Sequence, residues 1–149
     1  MGYKEMETAL QTNIQTIVGF ADSQRNVVLY DYNALSRGIS KGVVLRFGGM
    51  DHVLQALGGE HLHRWYCNCV LVVKAQNEAT AQEQLRDNMQ LILNRIDQYP
   101  KLNGTADVFY AYVSSIDEEP IEASLGNVKF VGRNIRIAIE EEIDVAEME

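Results

Sequence analysis

The chain has 149 residues, of which 46% are hydrophobic and 23% are charged, and its formal net charge at pH 7 is −8. This length and composition are typical of one globular domain and exclude a disordered chain. The 13 lysine and arginine residues are scattered, so a protein that holds nucleic acid on a basic face is disfavoured. No apolar run approaches the roughly 18 residues of a membrane-spanning helix, and we expect a soluble protein without membrane contact.

Two segments have the apolar spacing of amphipathic helices. Residues 5–18 place apolar side chains three and four positions apart, and Gly19 is a suitable end. Residues 78–98 follow Asn77, which is a favourable N-cap. The apolar stripe of this longer helix consists of Ala81, Leu85, Met89, Ile92 and Ile96. We expect both helices to pack on a sheet.

Five segments have the pattern of β-strands, namely 27–31, 43–47, 64–75, 105–117 and 127–143. The third should be central, because one of its faces is apolar throughout. The last two should pair with each other in antiparallel orientation. Residues 1–149 are therefore predicted to form one α+β domain. Its single antiparallel or mixed sheet carries an N-terminal helix and one long central helix.

Two segments are predicted to lie outside the regular structure. Residues 48–62 contain four glycines, which indicates a long exposed loop. The acidic segment 140–149 is expected to fray. Carboxylate pairs such as Glu118 with Glu119 and Glu141 with Glu142 are expected to be solvated rather than catalytic, because acid–base chemistry needs a shaped pocket.

The cluster of His61, His63, Cys67 and Cys69 has the residue types that bind zinc. Two cysteines separated by one residue on a strand, however, lie about 6.5 Å apart along one face, whereas zinc knuckles use a turn. We therefore predict reduced thiols in the core and no bound metal. The sequence contains no phosphate-binding glycine motif and no nucleophile elbow, so no cofactor and no catalytic residue is predicted.

Several segments together resemble the tail terminator proteins of long-tailed bacteriophages. They are the strand that begins at Trp65, the long helix after it, and the sequence Tyr-Pro-Lys-Leu-Asn-Gly at 99–104. In that family a strand led by tryptophan precedes a helix that ends in a similar turn, and two further strands close the sheet. The resemblance covers most of the chain and implies a non-enzymatic virion assembly protein.

The resemblance further implies a homo-oligomer, usually a hexameric ring, that caps the tail tube, stops its polymerisation and provides a docking face for the head connector. Its partners would be its own copies, the tail-tube protein and the head connector or another neck protein. DNA would pass through the lumen without specific binding. The protein would assemble in the host cytoplasm and be located at the head-proximal end of the tail.

Two sets of residues are candidates for contacts in such a ring. The acidic turn of Asp117, Glu118 and Glu119 could line the lumen, where negative charge would let DNA slide. Tyr110 and Tyr112 are candidates for a subunit interface.

Three other functions remain open from the sequence. The first is another neck component, such as a head-closure or tail-completion protein. The second is a small metal-dependent enzyme that uses His61, His63, Cys67 and Cys69. The third is a homo-oligomeric adaptor of another system.

Overall fold

The computed structural model describes residues 3–17, 20, 27–30, 41–54, 60–74, 78–98, 102, 110–125 and 128–144. Within these ranges the chain forms two helices and six strands. In chain order they are α1 (Tyr3–Gln15), β1 (Val27–Leu29), β2 (Lys41–Leu54), β3 (Glu60–Lys74), α2 (Glu78–Gln98), β4 (Tyr110–Ile116), β5 (Ile121–Leu125) and β6 (Val128–Asp144). The predicted α+β class, with one mixed sheet and two helices, is confirmed.

The strand order in the sheet is β1-β2-β3-β6-β4, and β5 also pairs with β6. β1 runs parallel to β2, and every other pairing is antiparallel. β3 is central, as its apolar face predicted. The long strand β6 pairs with β3 on one side and with β4 and then β5 on the other. The predicted antiparallel pairing of the last two strands is confirmed as the pairing of β4 with β6.

The prediction of a loop over residues 48–62 is wrong for 48–54 and 60–62. These residues extend β2 and β3 into a long hairpin, in which Leu54 lies opposite His61. Residues 55–59 lie outside the described part of the chain. The glycines misled the prediction because the register shifts between Phe47 and Gly49. Glycine in a strand often marks such a bulge rather than the end of the strand.

The prediction of a fraying segment from residue 140 is wrong as far as Asp144. β6 continues there because it pairs with β3 up to the match of Glu60 with Asp144. Glu141 is only 1% exposed, so the expectation of a solvated carboxylate fails at this position. The short strand β5 was not predicted. Residues 105–109 of the predicted fourth strand lie outside the described residues.

The main core lies between the sheet and the two helices. The predicted stripe of α2 is confirmed, because Ala81, Leu85, Ile92 and Ile96 are buried and Met89 packs beside them. From the sheet, buried side chains such as Leu45, Cys69 and Ile137 face these helices. Complete burial of one such aliphatic side chain stabilises the fold by about 1.5–3 kcal/mol. We call this side of the sheet the helix face.

A smaller apolar cluster lies on the opposite side of the sheet, which we call the second face. It consists of Val28, Val44, Val70, Val72 and Phe130, and none of these belongs to a helix. The adjoining part of β6 runs very close to β3 at Gly132. A Cβ atom at Gly132 would lie 2.3 Å from the backbone oxygen of Leu71, so only glycine fits without a shift of one strand.

Candidate functional site

The two cysteines of the predicted metal-ligand cluster are buried on the helix face. Cys67 and Cys69 are free thiols, 1% and 0% exposed. Desolvation raises the pKa of Cys69 to about 12 and also raises that of Cys67. Metal binding and nucleophilic attack both need the thiolate, which burial therefore disfavours at neutral pH.

His63 is separated from these thiols and lies beside a carboxylate. Cys67 follows His63 by four positions along the strand, a distance of about 13 Å, so the two side chains do not converge on one ion. Glu141 lies opposite His63 on β6, with 3.8 Å between His63 Nδ1 and Glu141 Oε1. Both side chains are largely buried, and the rings of His63 and Trp65 meet edge to face. The backbone of His61 lies in β3, two residues before His63.

Within the described residues, no group of three histidine, cysteine, aspartate or glutamate side chains is placed to hold a metal ion. The pairing of His63 with Glu141 was not predicted, because the two residues are far apart in the chain. Only the β3–β6 register brings them together. The available signal was the position of Glu141, which continues the alternating isoleucines of β6 on the buried face.

The second face carries a polar cluster around Glu140. Glu140 Oε1 accepts a hydrogen bond from Arg64 Nε at 3.0 Å and one from the Tyr112 hydroxyl at 3.1 Å. A further hydrogen bond joins Arg64 to Tyr66, and these two bonds raise the pKa of Arg64. Arg64 therefore remains a cation under all ordinary conditions.

The candidate interface tyrosines lie in the edge strand β4. Tyr110 is 47% exposed, whereas Tyr112 is half-buried and donates a hydrogen bond to Glu140. Their ring centroids are 5.8 Å apart. Burial, followed by the Glu140 hydrogen bond, raises the pKa of Tyr112. Tyr110 is thus the more accessible of the two for a contact.

The acidic turn after β4 consists of one residue held by hydrogen bonds and two exposed ones. The Asp117 carboxylate lies 3.2 Å from Arg136 Nε and accepts a hydrogen bond from Asn134 Nδ2 at 3.2 Å. Its backbone N–H donates to the Asn134 carbonyl. Glu118 and Glu119 have exposed side chains, and the Glu118 carbonyl accepts a bond from Arg133. The turn is therefore fixed to β6 while it presents two carboxylates outward.

An open depression of about 280 Å³ lies beside the bulge of β2. Its lining residues are Gly48, Gly49, Tyr66, Cys67, Asn68 and Arg136. A Cβ atom at Gly49 would meet nothing within 4 Å, so the space above this glycine is empty. The depression crosses the three neighbouring strands β2, β3 and β6 and was not predicted from the sequence.

The two lateral edges of the sheet differ. At one edge β4 pairs only with β6, and no described strand covers its outer side. Exposed side chains there include Tyr110 and Ile116. At the other edge β1 pairs with only three residues of β2, up to Leu45. Among the described strands, none pairs with the outer side of β2 beyond that point.

No model of a known protein family matches the chain, and no curated protein matches it significantly. None of the described helices is long and apolar enough to cross a bilayer.

Proposed function

We propose that this protein is a ring-forming tail terminator of a long-tailed bacteriophage. It caps the tail tube, stops its growth and offers a docking face to the head connector. The resemblance of the Trp65 strand, the long helix and the turn at 99–104 suggests the family. In the structure β3 precedes the long helix α2, but β3 begins at Glu60 rather than at Trp65, and three strands rather than two follow α2.

The observation that carries the proposal is a sheet with two unlike edges. No described strand pairs with the outer side of β4 or with the outer side of β2 beyond Leu45, although the Tyr30 hydroxyl hydrogen-bonds the backbone of Phe47 there. Unpaired strand edges readily pair with another chain. Because the two edges differ, a contact between them joins copies head to tail, and such contacts close into a ring when the rotation per subunit allows it.

The β4 edge also has the side chains of an interface. Ile116 is 36% exposed and Tyr110 is 47% exposed, and both lie along this edge. Aromatic and aliphatic residues are enriched in the centres of protein interfaces, where charged residues are depleted. An unmatched charge placed here should therefore prevent the contact.

The assembly test replaces Ile116 with lysine and compares it with a matched control. Leu91 is 43% exposed on α2, outside the two edge strands, so Leu91→Lys makes a similar chemical change elsewhere. By analytical ultracentrifugation we expect wild type and Leu91→Lys to form the same closed oligomer and Ile116→Lys to remain monomeric. Assembly of Ile116→Lys with wild-type affinity would contradict the role of the β4 edge.

The functional test adds the protein to polymerising tail-tube subunits of the same phage. Wild type and Leu91→Lys should bind tube ends and stop elongation, which electron microscopy shows as shorter tubes of uniform length. Ile116→Lys should leave elongation unchanged. Tubes that grow normally in the presence of assembled wild-type protein would contradict the terminator function, while binding to the head connector alone would indicate another neck protein.

A further inference from the structure

We propose that the end of the β2–β3 hairpin binds a zinc ion on the helix face. His63 and Glu141 supply two ligands, and the histidines at positions 52 and 61 complete the site. This ligand set differs from the cluster considered from the sequence, because Glu141 and His52 take the place of the two buried cysteines. The inference goes beyond the proposed function, since neither a ring nor a tube cap needs a metal ion.

The sheet register collects these residues at neighbouring positions of three strands. His52 lies opposite His63 on β2, and Glu141 lies opposite His63 on β6. His61 lies two residues before His63 on β3. Residues directly opposite each other on antiparallel strands, and residues two apart on one strand, belong to the same face of a sheet. All three histidines of the chain therefore belong to the face that carries Glu141.

The pair of His63 and Glu141 has nearly the spacing of two zinc ligands. His63 Nδ1 and Glu141 Oε1 are 3.8 Å apart. This distance is longer than a hydrogen bond. It is close to the separation of about 3.4 Å between two ligand atoms that each lie about 2.1 Å from a tetrahedral zinc ion. The two side chains are 13% and 2% exposed. A small shift would let both atoms contact one ion in a site that is largely shielded from water.

The residue types and their surroundings favour zinc. Imidazole and carboxylate groups are common zinc ligands, whereas magnesium and calcium prefer sets of oxygen ligands alone. A buried carboxylate is stable when it is paired or binds a metal. In the sheet register, the positions of the same face that adjoin the proposed ligands are all apolar, namely Met50, Leu54, Trp65, Ile139 and Ile143. These strand positions therefore place no lysine or arginine beside the ion.

The spacing that disfavours the two cysteines does not disfavour the histidines. An imidazole reaches farther from the backbone than a thiol, so two histidines separated by one strand residue can bind one ion. A histidine also binds zinc in its neutral form, which is common at neutral pH. A cysteine must first lose its proton, and burial opposes this step by raising the pKa of Cys69 to about 12.

Zinc titration of the protein without an affinity tag measures the site directly. The chain contains one tryptophan, and the rings of Trp65 and His63 meet edge to face with 6.1 Å between their centroids. The fluorescence of Trp65 should therefore change as zinc binds. Isothermal titration calorimetry at neutral pH should give one zinc ion per chain with micromolar or tighter affinity. Magnesium should produce neither signal.

Two matched substitutions test the carboxylate ligand. Glu141→Gln removes the charge while keeping the size of the side chain. Glu140→Gln makes the same change at the preceding residue, on the second face, where Glu140 bonds Arg64. We expect Glu141→Gln to weaken zinc binding at least about 10-fold, since even loss of an outer partner of a metal ligand costs 10–100-fold. Glu140→Gln should bind zinc as wild type does.

Substitutions of the other proposed ligands test the rest of the set. His52→Ala and His61→Ala should each weaken zinc binding at least about 10-fold. The double variant Cys67→Ala and Cys69→Ala should keep wild-type affinity, because the thiols take no part. Circular dichroism in the absence of zinc checks that each variant is folded.

Thermal unfolding gives a second readout that does not depend on fluorescence. A bound ion would join β2, β3 and β6 and would stabilise only the folded chain. Excess zinc should therefore raise the unfolding temperature of wild type and of Glu140→Gln by several degrees. The same addition should leave the unfolding temperature of Glu141→Gln unchanged.

Three outcomes would overturn the inference. One is a wild-type protein that shows no zinc binding by calorimetry or fluorescence. Another is unchanged affinity in Glu141→Gln or in His52→Ala. The third is loss of binding in the double cysteine variant, which would transfer the metal to the cluster considered from the sequence. None of these outcomes bears on the ring, whose assembly and tube capping are measured without zinc.

Discussion

The two faces of the sheet differ in how completely the protein itself covers them. On the helix face, side chains such as Leu45, Ile135 and Ile137 are 0% exposed beneath α1 and α2. On the second face, part of the surface is apolar and buried around Phe130, but the part near the bulge carries Arg46, Asn68 and Arg136. Among the described residues, the helix face therefore contributes the larger buried apolar cluster, and the second face combines a smaller one with exposed polar side chains.

The two faces also differ in the burial of their charged residues. The helix face holds one buried carboxylate, Glu141, next to His63. The second face holds more exposed arginine–carboxylate contacts, between Arg64 and Glu140 and between Arg136 and Asp117. Partly exposed ion pairs add little to stability.

The largest expected effect is a difference in the free energy of unfolding between alanine substitutions at two strand glycines. Gly132→Ala places a methyl group 2.3 Å from the Leu71 carbonyl, so β6 or β3 must shift. We expect it to lower the free energy of unfolding by about 3 kcal/mol, the upper part of the range for overpacking. Gly49→Ala meets nothing within 4 Å and should change the same quantity by less than about 0.5 kcal/mol.

Urea denaturation followed by circular dichroism measures both variants under one set of conditions. Equal stability of the two variants would contradict the close approach of β3 and β6 at Gly132. It would also remove the contrast between a tightly packed sheet interior and an open bulge.

The second prediction concerns the buried thiols of the helix face. Their pKa values are raised above the ordinary value of 9.0, so above pH 9 the unfolded chain loses thiol protons that the folded chain keeps. Stability is therefore complete below pH 9 and falls as the pH rises towards about 12. Each thiol contributes at most about 1.4 kcal/mol per pH unit in this window.

The measurement is urea denaturation of wild type at pH 8.5 and pH 10.5. The double variant Cys67→Ala and Cys69→Ala is the control, because it keeps all other groups that titrate in this range. Wild type should lose more stability than the control over this interval. The same loss in both proteins would contradict the burial of the thiols.

The smallest expected effect concerns the second face. Arg136→Gln removes the contact between Arg136 and Asp117, whose side chains are 56% and 35% exposed. We expect a loss of less than about 1 kcal/mol in the free energy of unfolding. Arg64→Gln should cost more, about 1–2 kcal/mol, because it removes a charged hydrogen bond to the more buried Glu140. Thermal melts compare the two, and a larger loss for Arg136→Gln would reverse the order that burial predicts.

The sequence predicted those parts of the fold that depend on local periodicity. The α2 boundaries and stripe, and the apolar face of β3, follow from spacings of 3.6 and 2 residues, which burial against one layer imposes directly. Patterns with glycine were interpreted wrongly at 48–62, because Gly48 and Gly49 occupy a bulge within a hairpin. A bulge and a loop have the same local composition.

The candidate site depended on pairings between distant segments. Asn68, Arg136 and the bulge glycines belong to three strands and meet only in the sheet register. Glu141 was interpreted as part of an acidic tail because its burial depends on the partner strand β3. Periodicity identifies the face of a residue, but it does not identify the neighbouring strand.

The central claim is that unlike edges of one sheet join copies head to tail into a closed ring. Electron microscopy of the purified wild-type protein, with class averages viewed down the axis, tests it most directly. The account predicts closed rings with a central hole and rotational symmetry, six-fold if the family resemblance holds. Isolated monomers, two-fold dimers or open filaments as the dominant species would contradict it.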